Sequence, residues 1–210
     1  IERYEQGTDA YHLPYLTKIS SDVRLDVLFK AIQQVIDRHP VLKSVYLIDE
    51  NGNNYQEVLP GEVPMVTDVV SDENALLIKV RQEISRPFDL SKEISIRIHH
   101  YEVGTDHYLL LLWHHIAFDG WSTTIFLQEL GEIYSGLLSG RKAELPQQEI
   151  SYGDYALWQR EYLQGENLSK LTGYWQKTLS GYEQLHLPLD HARPKQIDYR
   201  GRDYIFELNE

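Results

Sequence analysis

Residues 108–113, with the sequence YLLLLW, form the most apolar run in this chain of 210 residues. A continuous apolar run of this length is typical of a strand that is covered on both faces. The run ends at once in His114 and His115. Because neighbouring residues on a strand face opposite ways, at most one of these imidazoles can point into any one cavity. The run therefore predicts a buried strand whose tip presents a side chain that titrates near neutral pH.

The residues after the strand tip predict a tight loop that leads into a helix. Gly120 provides a position without a Cβ atom for the turn. Asp119 or Ser122 can accept hydrogen bonds from the first free N–H groups of the next helix. A buried Asp119 would instead require a cation or several donors, and such a pair would lock the loop. Loops on a rigid scaffold often carry chemistry, so this segment is the candidate site.

A metal site is the main chemical alternative at this loop. His115 and Asp119 are four residues apart, and imidazole and carboxylate groups both bind zinc. A third ligand is not evident in the nearby sequence, and the loop need not be helical. We therefore expect no metal ion at this site.

The rest of the chain predicts an alternating α/β plan. Helical spacing of apolar residues and short apolar or alternating runs follow one another along the sequence. The expected helices lie near residues 25–36, 76–84 and 126–137, with two further aromatic-rich helices on either side of Gly165. The expected strands lie at residues 45–48, 55–59, 94–98, 108–113 and 204–208, and Asn51-Gly52 marks a hairpin between the first two. In the third of these strands, isoleucines at 94, 96 and 98 alternate with Ser95, Arg97 and His99, which predicts a half-buried strand with these three residues on its polar face. No internal repeat is present, so we expect residues 1–210 to form a single domain.

Composition excludes several classes of function. The formal net charge is -12 and no basic cluster offsets it, which argues against a nucleic-acid surface. The chain has no cysteine, so disulfides, thiolate zinc sites and a cysteine nucleophile are excluded. No apolar segment reaches the roughly 20 residues that a membrane helix requires, and no signal-peptide pattern opens the chain. We expect a cytoplasmic protein that binds neither nucleic acid nor membrane.

Several ordered blocks of the sequence carry a resemblance to one family. Residues 112–122 (LWHHIAFDGWS) contain a histidine pair, three further residues and then Asp-Gly. This block resembles the core motif of condensation domains of nonribosomal peptide synthetases, and the short pattern also occurs in the wider chloramphenicol acetyltransferase-like superfamily. Residues 38–46 (RHPVLKSVY) are similar to the family motif Arg-His-Glu-x-Leu-Arg-x-x-Phe, with Pro40, Lys43 and Tyr46 as departures. Further blocks that resemble the family lie at residues 87–90 (PFDL), 152–158 (YGDYALW) and 187–194 (LPLDHARP).

The resemblance implies a chloramphenicol acetyltransferase-like lobe with a mixed β-sheet and flanking helices. Family members consist of two similarly folded lobes arranged as a V, and the matching blocks here are those of the amino-terminal, donor-side lobe. The family's first motif, Ser-x-Ala-Gln-x-Arg, and the motifs of the carboxy-terminal lobe are absent from the sequence. We therefore expect residues 1–210 to be one lobe of a condensation domain.

The resemblance also implies the reaction and the partners. In the complete domain, an acceptor aminoacyl amine attacks a donor peptidyl or aminoacyl thioester, and an amide forms. Both substrates are presented on the phosphopantetheine arms of partner carrier proteins, and the chain itself is expected to bind no cofactor. The expected partners are the upstream, donor peptidyl carrier protein, the acceptor carrier protein and the missing carboxy-terminal lobe. The isolated lobe is expected to bind the donor carrier protein and to be inactive.

Residue roles follow from matching the family motifs to this sequence. His115, the second histidine, is the expected catalytic residue, either as a base for the amine or as a hydrogen-bond partner that orients it. The expected supporting residues are His114, Asp119, Gly120 and Arg38. Arg38 is one candidate ion-pair partner for Asp119, and the missing lobe is another source. Gly120 is expected to keep the thioester's path clear or to donate a backbone N–H to the oxyanion. Trp121 and Ser122 are expected to line the substrate channel.

Other members of the superfamily remain as alternatives. Heterocyclising relatives carry aspartate in place of the first motif histidine, so His114 disfavours that reaction. Epimerisation domains share the histidine pair but typically continue with Val-Ser-Trp, whereas Trp121-Ser122 follows here. An acyltransferase that uses acyl-CoA would share the motif. These comparisons favour condensation over epimerisation and leave the acyl-CoA alternative open.

Overall fold

The computed structural model describes residues 9–192 and 206–207. The elements in chain order are β1 (His12–Ile19), α1 (Leu25–Arg38), β2 (Ser44–Ile48), β3 (Asn54–Val58), β4 (Met65–Val70), α2 (Glu73–Ser85), β5 (Ile96–Val103), β6 (Asp106–His114), α3 (Gly120–Ser139), α4 (Tyr152–Tyr162) and α5 (Gly165–Thr178). A short 3-10 turn, Pro40–Lys43, follows α1. The chain divides into two compact units between Ser151 and Tyr152, and the second unit contains α4 and α5.

The predicted apolar strand is β6, which lies inside a four-stranded sheet with the order β1-β6-β5-β4. β6 pairs antiparallel with both β1 and β5, whereas β4 runs parallel to β5. β2 and β3 form a separate antiparallel pair. The structure therefore confirms the predicted α/β class with a mixed β-sheet and flanking helices.

Helices cover both faces of the sheet at β6. Leu109, Leu111 and Trp113 belong to a core cluster with residues of α1 and α3. Leu110 and Leu112 belong to a second cluster with residues of α2. Each of the five side chains is at most 3% exposed. Burial on both faces removes the need for a polar face, which explains why the run is continuously apolar.

β5 differs from its expected half-buried pattern. Arg97 and His99, which alternation places on a polar face, are only 6% and 5% exposed because α2 packs on that side. The Arg97 guanidinium donates to Glu93 Oε1 at 2.8 Å and to the carbonyls of Arg86 and Pro87 at 2.6 and 2.7 Å. The expected half-buried pattern was wrong for Arg97, because a polar side chain can be buried where its hydrogen bonds are satisfied.

Strands β1 and β4 have no counterpart among the expected strands. The strand expected at residues 204–208 lies largely outside the described residues, and the two described ones, Phe206 and Glu207, are not in a strand. The two helices expected around Gly165 are present as α4 and α5. In the described part of the chain, no helix combines the length and apolarity needed to cross a membrane. The assignment of residues 1–210 to a single lobe stays a prediction.

Candidate active site

The two imidazoles of the histidine pair have opposite environments. His114 is the last residue of β6 and is 4% exposed, whereas His115 starts the following turn and is exposed. The His114 N–H donates to Ser95 O at 2.9 Å, and the His115 N–H donates to Tyr11 O at 2.8 Å. Ser95 and Tyr11 immediately precede β5 and β1, the two neighbours of β6. Adjacent N–H groups therefore anchor the strand tip on both sides, and one imidazole faces inward while the other is open.

The buried imidazole of His114 holds the turn in shape. Its Nδ1 accepts a hydrogen bond from the Ile116 N–H at 3.0 Å. In a neutral ring this leaves the hydrogen atom on Nε2. The rings of Tyr11, His12 and Phe88 surround it at centroid distances of 6.2, 6.0 and 5.6 Å. His114 is therefore positioned to support the loop, as its predicted role requires.

An aromatic stack fixes the middle of the loop. The rings of Trp113 and Phe118 lie parallel, with centroids 4.1 Å apart and planes within 3°. Phe126 of α3 meets the Trp113 ring edge-on at 5.3 Å and the Phe118 ring edge-on at 6.1 Å. Because all three side chains are buried, they join the end of β6, the loop and the second turn of α3 into one packed group.

Asp119 caps the amino terminus of α3. Its Oδ1 accepts from the Ser122 N–H at 2.9 Å and from the Ser122 hydroxyl at 2.7 Å. The Asp119 N–H donates to Ser122 Oγ at 3.2 Å, which completes a reciprocal capping box. The Ser122 hydroxyl and N–H hold the pKa of Asp119 below its usual value, and nearby His115 lowers it further. The interpretation of Asp119 or Ser122 as a helix cap is therefore correct.

Arg38 pairs with a different carboxylate from the one expected. Its Nε donates to Glu129 Oε1 at 2.9 Å, and its Nη2 donates to the carbonyl of Pro146. Arg38 was one of two candidate sources of a partner for Asp119, and this candidate is wrong. Glu129 lies ten residues beyond Asp119 on α3, about 15 Å along the helix axis. Arg38 connects the two helices well away from the histidine pair.

Glu129 is a structural residue that sequence reasoning missed. It is 7% exposed and lies between Phe126 and Ile133 on the buried face of α3. Its Oε2 lies 2.7 Å from His39 Nε2, and Gln148 contacts the other ring nitrogen of His39 at 3.0 Å. An acidic residue inside an apolar helical stripe is a usable sequence signal, because such a charge needs a buried partner.

Phe88 and Arg97 are a second pair that the sequence did not reveal as part of the site. The Arg97 guanidinium lies 3.8 Å from the centroid of the Phe88 ring. Phe88 also contacts the rings of His12 and His114, at centroid distances of 5.0 and 5.6 Å. The block at residues 87–90 therefore supports the buried histidine through an aromatic side chain and a cation–π contact.

The first three residues of α3, near the exposed His115, are Gly120, Trp121 and Ser122. A Cβ atom added to Gly120 would meet no atom of the described residues within 4 Å. Trp121 is 84% exposed, and the neighbouring side chains Ile116 and Ile125 are exposed as well. Ser122 is engaged in the cap. The lining of a substrate channel by Trp121 and Ser122 stays a prediction.

The described residues do not bring a third metal ligand to His115 and Asp119. Within residues 9–192 and 206–207, the group of three ligand-bearing side chains close enough to share an ion is His100, Glu102 and His107. That group lies toward the other end of β6. At the loop itself, the arrangement offers an open imidazole, a helix amino terminus and a clear position at Gly120, which suit hydrogen bonding to a reacting amine or carbonyl.

Comparison with known proteins places this chain in one family. The sequence model of the family described as "Condensation domain" matches residues 1–210. N-(5-amino-5-carboxypentanoyl)-L-cysteinyl-D-valine synthase of Amycolatopsis lactamdurans is 38% identical over 216 residues, which cover 100% of this chain and 6% of the synthase. The dimodular nonribosomal peptide synthase of Bacillus subtilis is 30% identical over 215 residues, which cover 97% of this chain and 9% of that protein.

Solved structures share the fold. The X-domain from teicoplanin biosynthesis superposes with a TM-score of 0.76 at 24% identity, covering 90% of this chain and 43% of that chain. The starter condensation domain of the rhizomide synthetase gives a TM-score of 0.76 at 18% identity, covering 87% and 45%. The chain thus spans less than half of these structures and a small part of its curated relatives. On the match over all 210 residues, the chain belongs to the condensation-domain family of nonribosomal peptide synthetases.

Proposed function

We propose that this chain is the amino-terminal, donor-side lobe of a condensation domain that joins a carrier-bound donor thioester to a carrier-bound acceptor amine. Condensation domains of nonribosomal peptide synthetases catalyse peptide bond formation. The coverage of 43% and 45% of two solved relatives is the share that one of two similar lobes would give. The observation that carries the proposal is the exposed His115 beside a buried, hydrogen-bonded His114 at the end of β6.

The reaction requires little activation from the protein. The acceptor amine forms a C–N bond to the thioester carbonyl, the C–S bond breaks, and the phosphopantetheine thiolate leaves. A thioester is already reactive, and a free α-amine has a pKa near 8, so deprotonation is a small part of the barrier. Holding two arms in line supplies the larger part. His115 then accepts the proton of the amine or orients it by a hydrogen bond.

The rest of the loop serves the approach of the thioester. Gly120 is the first residue of α3, where the first N–H groups of a helix have no partner within that helix. Its N–H is therefore positioned to donate to the oxyanion that forms during attack. Because Gly120 has no side chain, it leaves space beside His115. The Asp119 cap fixes the position of this space by fixing the start of α3.

Substitution of His115 tests the catalytic assignment. In the complete two-lobe protein, His115→Ala should lower single-turnover amide formation by about 10²- to 10⁴-fold, the contribution typical of a positioned acid or base. His186→Ala, which removes an exposed imidazole outside the motif, is the matched control. Full activity in His115→Ala would remove this residue from the mechanism. The pH dependence of the rate in His115→Gln separates the role of a base from that of an orienting group, because glutamine can hydrogen-bond to the amine but cannot accept its proton.

The isolated chain tests the assignment as one lobe. The chain should bind the loaded donor carrier protein in a titration and should give no amide when both loaded carriers are added. Turnover by the chain alone would overturn the lobe assignment. Acyl transfer from CoA without any carrier would instead support the acyl-CoA acyltransferase alternative.

A further inference from the structure

Three ligand-bearing side chains lie together toward the end of the sheet that is opposite the histidine pair. His100 and Glu102 are two residues apart on β5, and His107 of β6 is the cross-strand partner of Glu102. Residues two apart on a strand and directly opposed residues share one face of a sheet. The candidate ligand atoms of the three side chains all lie within 4.8 Å of one another.

The two imidazoles are held in a fixed arrangement. His100 is 3% exposed, and the ring of Phe29 on α1 meets its ring edge-on at 5.4 Å. The His100 and His107 rings stack with centroids 5.1 Å apart and planes within 17°. His100 Nε2 and His107 Nδ1 are 3.0 Å apart. Glu102 and His107 are half-buried, so the cluster combines a rigid inner ligand with outer ligands that an ion can reach.

We infer that His100, Glu102 and His107 form a binding site for a divalent transition-metal ion of the zinc type. Two imidazoles and one carboxylate are a ligand set that zinc accepts, with water in the fourth position. Imidazole ligands also suit cobalt, nickel and copper. At Zn–N distances of about 2.0 to 2.1 Å, two nitrogens of a tetrahedral site lie about 3.3 Å apart. The observed nitrogen pair therefore needs to open by only about 0.3 Å.

Binding requires no redox step and no net loss of a proton. In the arrangement described, one ring donates its N–H to the facing nitrogen of the other ring. When both facing nitrogens bind the ion, the hydrogen atom on the donating ring moves to its other nitrogen, which converts one neutral tautomer to the other. The carboxylate of Glu102 offsets part of the charge of the ion.

The site is separate from the candidate active site. His107 and His114 lie seven residues apart on β6, which corresponds to roughly 24 Å at about 3.4 Å per residue. The ligands come from both strands of the β5–β6 hairpin, so an ion would join the two strands close to their connecting turn. The inference concerns metal binding by the fold and does not depend on the proposed reaction.

Titration with Co²⁺ tests the site, because tetrahedral Co²⁺ has visible absorption bands and serves as a probe for zinc sites. The 210-residue chain should bind one equivalent of Co²⁺ with tetrahedral bands, and Zn²⁺ should displace it and raise the melting temperature. His107→Ala and the nearly isosteric Glu102→Gln should each weaken Co²⁺ binding at least tenfold. His186→Ala and His115→Ala, which remove exposed imidazoles elsewhere, should bind as the unmodified chain does.

Two results would overturn the inference. One is the absence of Co²⁺ and Zn²⁺ binding by the unmodified chain. The other is Co²⁺ binding of unchanged strength in His107→Ala and Glu102→Gln. Circular dichroism of each variant checks folding, and if His107→Ala unfolds, Glu102→Gln decides the outcome. In the second case, loss of binding in His115→Ala would place the ion at the histidine pair.

Discussion

Arg38 Nε lies 2.9 Å from Glu129 Oε1, and this ion pair ties the last residue of α1 to the middle of α3. His39 Nε2 approaches the other oxygen of the same carboxylate at 2.7 Å. The Glu129 side chain is only 10% exposed, so these two side chains take the place of water around its charge. The ion pair therefore helps to fix the position of α3. Asp119, a residue of the candidate site, caps the amino terminus of the same helix.

Removal of the Glu129 carboxylate should destabilise the fold. Glu129→Ala leaves the Arg38 guanidinium partly buried without its carboxylate, and loss of one partner of a buried ion pair typically lowers the free energy of unfolding by about 3 kcal/mol. The midpoint of urea denaturation should fall accordingly. Glu161→Ala, at an exposed position on α4, should change the free energy by less than about 0.5 kcal/mol. Equal midpoints for the two variants would contradict a stabilising role for the pair.

The aromatic stack of Trp113, Phe118 and Phe126 should contribute strongly to the stability of the fold, although Phe118 lies in a loop. Phe118→Ala removes a buried ring that packs against the rings of Trp113 and Phe126, and the cavity should lower the free energy of unfolding by about 3 to 4 kcal/mol. The near-ultraviolet circular dichroism of Trp113 should decrease at the same time. Phe206→Ala, at a position that is 65% exposed, is the control and should leave both measurements unchanged. A stable Phe118→Ala protein with an unchanged spectrum would show that the loop keeps its conformation without the stack.

The strand, loop and helix around the motif were predictable because their signals are local. The apolar run has no polar face, and Asp119 and Ser122 have the spacing of a helix cap. β1 was harder to identify. Pro14 lies within it, and proline disfavours a strand unless the strand is at the edge of a sheet. Among the strands of the described residues, β1 lies at the edge of its sheet, which explains why it tolerates Pro14.

Partners of charged residues could not be read from spacing alone. Arg38 was a candidate partner for Asp119, but the packing of α1 on α3 brings Glu129 to Arg38 instead. Likewise, alternation predicted a solvated Arg97, although α2 covers it and the carbonyls of residues 86 and 87 accept its hydrogen bonds. Contacts that form only when separate elements pack together decide both cases.

The Asp119 cap should make stability depend on pH. The pKa of Asp119 is lowered in the fold, chiefly by hydrogen bonds from Ser122, so its contribution is present above the ordinary pKa of 3.8 and is lost as the pH falls through the lowered value. Asp119→Ala should therefore be less stable than the unmodified chain at pH 7, and the difference in urea midpoint should shrink below pH 3.8. Asp119→Asn keeps a cap that does not titrate. A difference between Asp119→Ala and the unmodified chain that is the same at pH 7 and pH 3 would contradict the role of the charge.

Gly120 should be required for the reaction and dispensable for the fold. A Cβ atom at Gly120 meets no described atom within 4 Å, and alanine is favoured over glycine in a helix by up to about 1 kcal/mol. Gly120→Ala should therefore keep or raise the urea midpoint of the chain. In the complete two-lobe protein it should lower single-turnover amide formation by about 10- to 100-fold, because a methyl group beside His115 displaces the thioester. Gly131→Ala is a matched control, since a Cβ atom there also meets no described atom within 4 Å, and it should leave the rate unchanged. Equal rates for the two variants would show that Gly120 begins the helix but has no role in the reaction. A lower urea midpoint for Gly120→Ala would show that the fold itself needs this glycine.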